Sequence, residues 1–442
     1  MQDIPVELLV MISTHMSDHD LRALATTSQP MCQSLLPEYL RRRGLVLKDA
    51  CEGGSAVELR NLTGYASLGL WSIARIFHPP KDMYCSIPYG AQEARSAIEF
   101  LIGFLFDPSN TCNLRDFHLS LRGSNPLLLT TGLIRMHRIF CTIPLTQLCF
   151  SGFGSGIYLP PPIALRSGAP CGPDTLTSLV ITDDYTFAPG LVGTTMGALK
   201  HSPIKTLTVH MLSLSTPHWT TLLGELNLPF LEDIELEGDI PRPALIRFLI
   251  KHEGLKNIRI RENVPSDRAQ PTRLRCAPLL PNLLTLHAPL IVCCDIVERA
   301  SNPSRLYDLE VEVNRFHPND PSFLRLLESL QHFQKLDHLG LRLVPSSSSV
   351  TQASQNDHEW EEYPARELRQ VRSLSLFRNQ GRLSPGDIVR PHYLFTLSSL
   401  SNQNDRTQCA PMYGRFQWLK GSLRRSKGRK GRKRNSLTLC AK

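Results

Sequence analysis

The sequence predicts an α/β protein in which a repeated strand-and-helix unit builds a solenoid with a curved parallel sheet, preceded by a small all-α helical domain. Two observations predict the solenoid: one apolar phrase recurs from residue 114 onward, and helical periodicity separates its copies. A third predicts the helical domain, because residues 4–44 contain three short amphipathic stretches with capping residues.

The bulk composition limits which classes of protein this chain can belong to. Its 442 residues exceed what one hydrophobic core usually holds, so we expect several domains or a repeat array. A hydrophobic fraction of 41%, a charged fraction of 20% and no apolar run near the ~18 residues of a membrane helix are typical of a soluble protein without a membrane partner. Twelve cysteines without a C-x-x-C pair, and no recognisable leader peptide, predict free thiols and a cytoplasmic or nuclear location.

The first 44 residues are predicted to form three helices, because each apolar stretch has its own start signal. Pro5 and Pro30 fall in first turns, and the candidate caps and stop are, in chain order, Asp3, Ser17 or Asp18, Ser28 and Gly44. Three such helices bury little surface alone, and contacts with a partner often complete a core of this size.

These residues resemble an F-box. The matching positions are Ile4-Pro5, Glu7-Leu8-Leu9, Ile12, Asp20-Leu21-x-x-Leu24 and Ser28. The resemblance implies that the domain binds the Skp-family adaptor of an SCF-type cullin-RING ubiquitin ligase. The residues that would face the adaptor are Ile4, Pro5, Leu8, Leu9, Ile12, Leu21 and Leu24. The alternative is that residues 4–44 only cap the N-terminal edge of the solenoid.

Residues 45–113 carry no recognised copy of the apolar phrase. One helix is predicted over 91–106, where four apolar residues share a face: Ala94, Ile98, Leu101 and Leu105. We interpret 45–113 as a helical linker that caps the N-terminal end of the solenoid.

From residue 114 the phrase runs apolar-x-x-apolar-x-apolar, and its ten copies start 23–35 residues apart. The copies are Leu114-Phe117-Leu119, Leu145-Leu148-Phe150, Leu176-Leu179-Ile181, Ile204-Leu207-Val209, Leu231-Ile234-Leu236, Leu255-Ile258-Ile260, Leu283-Leu286-Ala288, Leu306-Leu309-Val311, Leu336-Leu339-Leu341 and Val371-Leu374-Leu376. The alternation at the end of each copy predicts a strand with one buried face.

Between copies the apolar spacing becomes helical. Two examples, each after a cap residue and a proline, are Trp219-Leu222-Leu223-Leu226 and Phe323-Leu326-Leu327-Leu330. One strand and one helix cannot enclose a core, so neighbouring units must stack, with strands lining a concave face and helices outside. The pattern over 114–400 resembles leucine-rich repeats in a long, irregular form. The alternative is an ordinary α/β domain with similarly spaced strands.

The end of the chain is basic. Ten Lys or Arg and no acid lie in 419–442, so removing them from the net charge of +9 leaves the first 418 residues at −1. We predict a disordered insertion at 345–362 within the repeats and a disordered basic tail at 401–442. The densest run holds Arg424, Arg425, Lys427, Arg429, Lys430, Arg432, Lys433 and Arg434. It is typical of a nuclear-localisation signal read by an importin, of a nucleic-acid contact, or of a solubilising tail.

No catalytic, metal or cofactor site is predicted. The "GFGSG" run at 152–156 is followed by three prolines, which exclude the helix that a phosphate loop needs, and "HEWEE" at 358–362 lacks the second histidine of a zinc protease. The chain is therefore predicted to be an adaptor rather than an enzyme. By alternation, the exposed side of the repeat strands carries His210, Asp233, Glu235, Arg259 and Arg261, which indicate where an unidentified substrate protein would bind.

Two functions follow. The first is substrate recognition within a cullin-RING ubiquitin ligase, with the adaptor on the N-terminal helices and a target on the repeat face. The second is a leucine-rich-repeat scaffold outside any ligase, nuclear and associated with nucleic acid through the basic tail.

Overall fold

The computed structural model describes thirteen α-helices and fourteen β-strands in two compact units. The described residues are 5–48, 56–74, 79–121, 129–152, 161–166, 172–182, 184–211, 214–261, 280–300, 305–313, 321–330, 332–333, 335–343, 373–378 and 436–440. The first unit comprises Met1–Leu255 and Arg261–Thr272, and the second comprises Lys256–Ile260 and Arg273–Lys442.

Three helices open the first unit: α1 (Val6–Thr14), α2 (Asp18–Ala25) and α3 (Gln29–Arg42). Two predicted caps are confirmed, because Ser17 Oγ accepts a hydrogen bond from the Asp20 amide at 3.2 Å and Ser28 Oγ accepts one from the Met31 amide at 3.4 Å. Gly44 follows α3 with a φ of +86°, a conformation that glycine adopts without steric cost. The predicted helix stop is therefore confirmed as well.

One largely buried arginine joins α3 to the end of α1. Arg42 donates from Nη1 to the Met16 carbonyl at 2.7 Å, and from Nη2 to the Ser13 carbonyl. Its Nε donates to Glu38 Oε1 at 3.0 Å. Carbonyls at a helix end lack helical partners, so these bonds both satisfy them and hold α1 against α3. The buried apolar side chains of the three helices are Leu9, Leu21, Ala25, Met31, Leu35, Leu36, Tyr39 and Leu40.

Eight strands form the sheet of the first unit. They are β1 (Leu45–Lys48), β2 (Ala56–Leu59), β3 (Asp82–Ile87), β4 (Asp116–Leu121), β5 (Gln147–Gly152), β6 (Ser178–Thr182), β7 (Thr206–His210) and β8 (Asp233–Glu237). β1 pairs antiparallel with β2, and from β2 to β8 every strand runs parallel to the next in chain order.

The strand register aligns the apolar phrase across this sheet. Leu148 of β5 lies opposite Phe117 of β4 and Leu179 of β6, and all three side chains are buried. The same register places Ile234 of β8 opposite Leu207 of β7. Because strand side chains alternate, the residues between the phrase positions face the other side of the sheet.

Helices connect these strands. They are α4 (Leu62–Ala66), α5 (Leu68–Ala74), α6 (Ala91–Phe106), α7 (Pro108–Thr111), α8 (Thr130–Phe140), α9 (Val192–His201), α10 (Thr216–Glu225) and α11 (Arg242–Lys251), with 3-10 turns at Pro162–Arg166 and Asp184–Phe187. The helix predicted over 91–106 is confirmed as α6, and the predicted apolar face of α10 buries Trp219, Leu222 and Leu223.

The second unit repeats the arrangement. Its strands are β9 (Asn257–Arg261, of which Arg261 belongs to the first unit), β10 (Thr285–Pro289), β11 (Asp308–Val313), β12 (His338–Leu343), β13 (Ser373–Arg378) and β14 (Ser436–Cys440), and its helices are α12 (Leu290–Val297) and α13 (Pro321–Leu330). β9 to β13 are parallel in chain order, and β14 pairs antiparallel with β13. The predicted α/β class with a mostly parallel sheet is thus confirmed in both units.

Two predicted segments differ from the structure. Residues 45–113 were predicted as a helical linker, but they also contain β2 and β3, which are parallel strands of the sheet. β3 carries no leucine in the phrase, because Pro80 precedes the strand and Met83 and Cys85 fill its buried positions. β2 buries Val57 and Leu59, but Gly54 stands where the phrase begins with an apolar residue. The predicted disordered tail contains β14, which pairs antiparallel with β13. The predicted insertion at 345–362 and the basic run at 424–434 lie outside the described residues.

Candidate protein-binding surfaces

One side of α1 is apolar and faces solvent. Leu8, Met11 and Ile12 are 46%, 63% and 50% exposed, and their spacing of three and four residues places them on one helix face. Exposed large apolar side chains are unremarkable singly, but a contiguous group on one helix indicates an interaction site. We call these three residues the α1 face.

The predicted adaptor-facing residues divide into two groups. Leu8 and Ile12 lie on the α1 face, Pro5 is exposed just before it, and Leu24 is half-buried. Ile4 lies outside the described residues. Met11 was missed, although its position three residues after Leu8 would have found it.

Two residues that were predicted to face the adaptor, Leu9 and Leu21, are buried in the structure. Leu9 is 7% exposed and Leu21 is fully buried, because both point into the core that α1 and α2 share with α3. The F-box resemblance identifies which positions are apolar, but it does not indicate which of them pack into the core between the three helices. These two leucines therefore stabilise the three-helix arrangement and present no surface to a partner.

A second surface is the side of each sheet that carries the polar, alternating strand residues, which we call the outer face. In the first unit, four of its residues form the His210 cluster: His210, Glu235, Glu237 and Arg261. Arg261 Nη2 lies 3.0 Å from Glu235 Oε1, and Arg261 Nη1 lies 3.7 Å from Glu237 Oε2. His210 sits between the same carboxylates, with Nε2 at 3.3 Å from Glu235 Oε1 and Nδ1 at 3.7 Å from Glu237 Oε2.

Three of the five predicted repeat-face residues therefore meet, namely His210, Glu235 and Arg261. Asp233 lies two positions before Glu235 on the same strand and accepts a hydrogen bond from Thr206 Oγ1 at 3.3 Å. Arg259 belongs to the second unit, where the register places it opposite His287 of β10.

The outer face of the second unit holds a comparable group, the Asp308 cluster. Its members are His287, Asp308, Glu310, Glu312, His338 and Arg342. Asp308 lies between two histidines, with Oδ2 at 3.3 Å from His287 Nε2 and Oδ1 at 2.5 Å from His338 Nδ1. Arg342 forms ion pairs with Glu310 and, at 3.4 Å, with Glu312. Sequence analysis missed this cluster, although the alternation that identified His210 continues through these strands.

The hydrogen bonds in the Asp308 cluster shift two pKa values in opposite directions. Burial alone would raise the pKa of Asp308, but hydrogen bonds from His287 and His338 outweigh it and hold that pKa well below its usual range. The hydrogen bond to Asp308 raises the pKa of His338, despite the opposing effect of burial. An imidazolium paired with a carboxylate is therefore the favoured state of these two residues.

This pair predicts a pH-dependent stability of the second unit. A raised pKa of His338 stabilises the fold below the ordinary histidine pKa of about 6.5, and the gain is lost as pH rises through the folded-state pKa. A lowered pKa of Asp308 stabilises above the ordinary pKa of about 4, and that gain is lost as pH falls. We expect His338→Gln to reduce the free energy of unfolding by about 1 kcal/mol more at pH 5.5 than at pH 8.5, a modest difference because the pair is partly exposed. The measurement is the melting temperature, which should fall further at pH 5.5.

The control for this melting experiment is His332→Gln, an exposed histidine of the same unit. It should change the melting temperature equally little at both pH values. A His338→Gln variant whose loss is the same at pH 5.5 and 8.5 would contradict the assignment of the pair.

A third group lies on the outer face of β3 and β4, and we call it the Tyr84 patch: Asp82, Tyr84, Asp116 and His118. Tyr84 stacks on His118, with ring centroids 4.5 Å apart and an angle of 15° between the rings. Asp82 lies opposite Asp116 on the neighbouring strand. Burial, followed by the Asp116 charge, raises the pKa of Asp82, and burial lowers the pKa of His118.

Comparison with known proteins found no matching family model and no matching curated protein. Within the described part of the chain, no helix combines the length and apolar character needed to cross a bilayer. In the same part, no group of three or more His, Cys, Asp or Glu side chains is arranged to hold a metal ion.

Proposed function

We propose that this chain is the substrate-recognition subunit of an SCF-type cullin-RING ubiquitin ligase, with an F-box at its N-terminus and a leucine-rich-repeat-like solenoid after it. The α1 face is the observation that carries the proposal. A short helical domain that keeps Leu8, Met11 and Ile12 exposed has apolar surface available for a partner, as an adaptor-binding domain requires.

The architecture that follows the helices supports the second half of the proposal. Parallel strands with buried phrase residues leave a polar outer face on each sheet, and charged side chains are concentrated there in the His210 and Asp308 clusters. Ion pairs that hold these side chains in place give the surface a defined pattern of charge, which favours recognition of a specific protein.

The proposed mechanism is proximity. The α1 face binds the adaptor while the outer face holds the target, so that the target's lysines stay close to the ubiquitin-carrying enzyme. Two binding events on one chain raise the effective concentration of the acceptor lysine without any catalytic group from this chain.

The test is capture of the purified Skp-family adaptor by the full-length chain. We expect Leu8→Asp together with Ile12→Asp to weaken adaptor binding by at least about 100-fold, because two carboxylates would be buried in an apolar interface. The folded chain should be unaffected, since both side chains are exposed. The measurement is a dissociation constant from calorimetry, with circular dichroism to verify folding.

A matched control carries Phe230→Asp together with Ile163→Asp, which replaces two apolar residues that are 58% and 64% exposed elsewhere on the first unit. This control should bind the adaptor like the wild type. If the α1 variant and the control bind equally, or if the wild type does not bind at all, the proposal fails. Retention of nucleic acid through residues 419–442 without adaptor binding would instead favour the scaffold outside a ligase.

A further inference from the structure

The Tyr84 patch has a composition that the proposed function does not assign. Its four side chains come from two adjacent parallel strands in register, Asp82 opposite Asp116 and Tyr84 opposite His118. Residues two apart on a strand share a face, so the carboxylate pair and the ring pair are neighbours on the outer face.

The carboxylate pair carries an excess of negative charge. Like charges directly opposite each other on neighbouring strands destabilise a sheet. Among the residues that the structure describes, no Lys or Arg lies within ion-pair distance of Asp82 or Asp116, although the charge of Lys81 partly offsets the rise in the pKa of Asp82. Oδ1 of Asp82 is buried and has no hydrogen-bond partner among the described residues. Asp116, in contrast, accepts a hydrogen bond from Thr146 Oγ1 at 3.0 Å. A cation placed beside the two carboxylates would reduce the repulsion between them.

The ring pair adds a surface that favours the same ligand. Tyr84 is 36% exposed although it lies in the middle of a strand, and its ring is held in place by stacking on His118. Cations bind over aromatic faces, and a guanidinium group also stacks on them through its own plane. Burial lowers the pKa of His118, which favours the neutral ring and so reduces repulsion of an incoming cation.

We propose that the Tyr84 patch binds an arginine side chain of a protein partner, stacked over Tyr84 with its N–H groups directed at Asp82 and Asp116. The planar fork of guanidinium can donate to two carboxylates at once, whereas the ammonium of lysine is a point charge without a stacking plane. This inference rests on the proposal that the outer face binds the target protein, and it adds that the target segment contains arginine.

The test is fluorescence anisotropy of the full-length chain with a labelled twelve-residue peptide in which three arginines are separated by glycine and serine. Two matched peptides carry lysine or uncharged citrulline in place of arginine. We expect the arginine peptide to bind about tenfold more tightly than the citrulline peptide and several-fold more tightly than the lysine peptide. Affinity should fall as salt rises from 50 to 500 mM.

Variants locate the binding. Asp82→Asn together with Asp116→Asn should weaken binding of the arginine peptide about tenfold, and Tyr84→Leu several-fold, while Tyr84→Phe should bind like the wild type because it keeps the ring. The matched charge control is Glu93→Gln together with Glu99→Gln on α6, which should change nothing. Equal binding of the arginine and citrulline peptides, or equal weakening by the α6 control, would overturn the inference. The same variants should bind the adaptor normally, so loss of arginine binding is distinguishable from failure of the proposed adaptor docking.

Discussion

Trp219→Ala is expected to destabilise the first unit by about 3–5 kcal/mol, one of the largest effects of any single truncation in this chain. Trp219 is fully buried in α10, beside Leu222 and Leu223 of the same helix, and it closely approaches the backbone at Gly238 after β8. Removing the indole leaves a cavity that close-packed neighbours fill only in part, so the loss exceeds the transfer free energy of the ring alone.

The measurement is urea unfolding followed by far-UV circular dichroism, with hydrogen exchange of β7 and β8 to localise the change. Trp219→Phe is the control, and it should lose much less because it keeps most of the volume. The indole Nε1 has no hydrogen-bond partner among the described residues, so phenylalanine forfeits no polar contact there. Equal unfolding midpoints for the alanine and phenylalanine variants would show that the tryptophan does not fill this part of the core.

Gly238→Ala is expected to cost the same unit about 2–4 kcal/mol, a large effect for the addition of one methyl group. Gly238 has a φ of +153°, and a Cβ built there would lie 2.5 Å from the Met211 carbonyl oxygen and 2.9 Å from Trp219 Cζ2. The oxygen belongs to the backbone of the adjoining segment, so it cannot move aside as a flexible side chain could. The strand end and α10 must shift together to admit the methyl group.

The matched control is Gly224→Ala within α10, where a Cβ meets nothing within 4 Å. Alanine is a better helix former than glycine, so this variant should be as stable as the wild type or more stable by about 0.5–1 kcal/mol. Thermal melting of both variants compares the two sites directly. A Gly238→Ala variant that melts like Gly224→Ala would refute the close approach of the backbone to this glycine.

The repeat phrase made most of the strands predictable. The first nine copies coincide with β4 to β12, one copy to each strand, and the tenth coincides with β13. The phrase predicts strands because the register of a sheet places the buried residues of one strand beside those of the next. The caps at Ser17 and Ser28 were predictable for a similar reason, since a helix start is a local arrangement of a side-chain oxygen and a free amide. β3 was missed because Met83 and Cys85 rather than leucines fill its buried positions, and β2 was missed because Gly54 stands where the phrase begins with an apolar residue.

The binding surfaces were predictable only in outline. The alternation of side chains along a strand placed His210, Glu235 and Arg261 on the outer face. It could not predict which carboxylate each basic side chain approaches. The F-box resemblance grouped Leu8 with Ile12, but it assigned Leu9 and Leu21 to the same surface, whereas both are buried. A motif specifies residue types along a chain, and burial depends on what packs against them.

The sequence by itself determined the period of this protein: where each strand of the phrase begins, which of its residues turn inward, and where several helices start and stop. These properties depend on neighbours along the chain, and local patterns of apolar and capping residues encode them. Only the tertiary structure decided that Asp308 lies between two histidines, that Asp82 faces Asp116, and that α1 keeps one face exposed. Those contacts join residues about 20 to 35 positions apart, and their geometry depends on strand register and on the packing of each unit around its core.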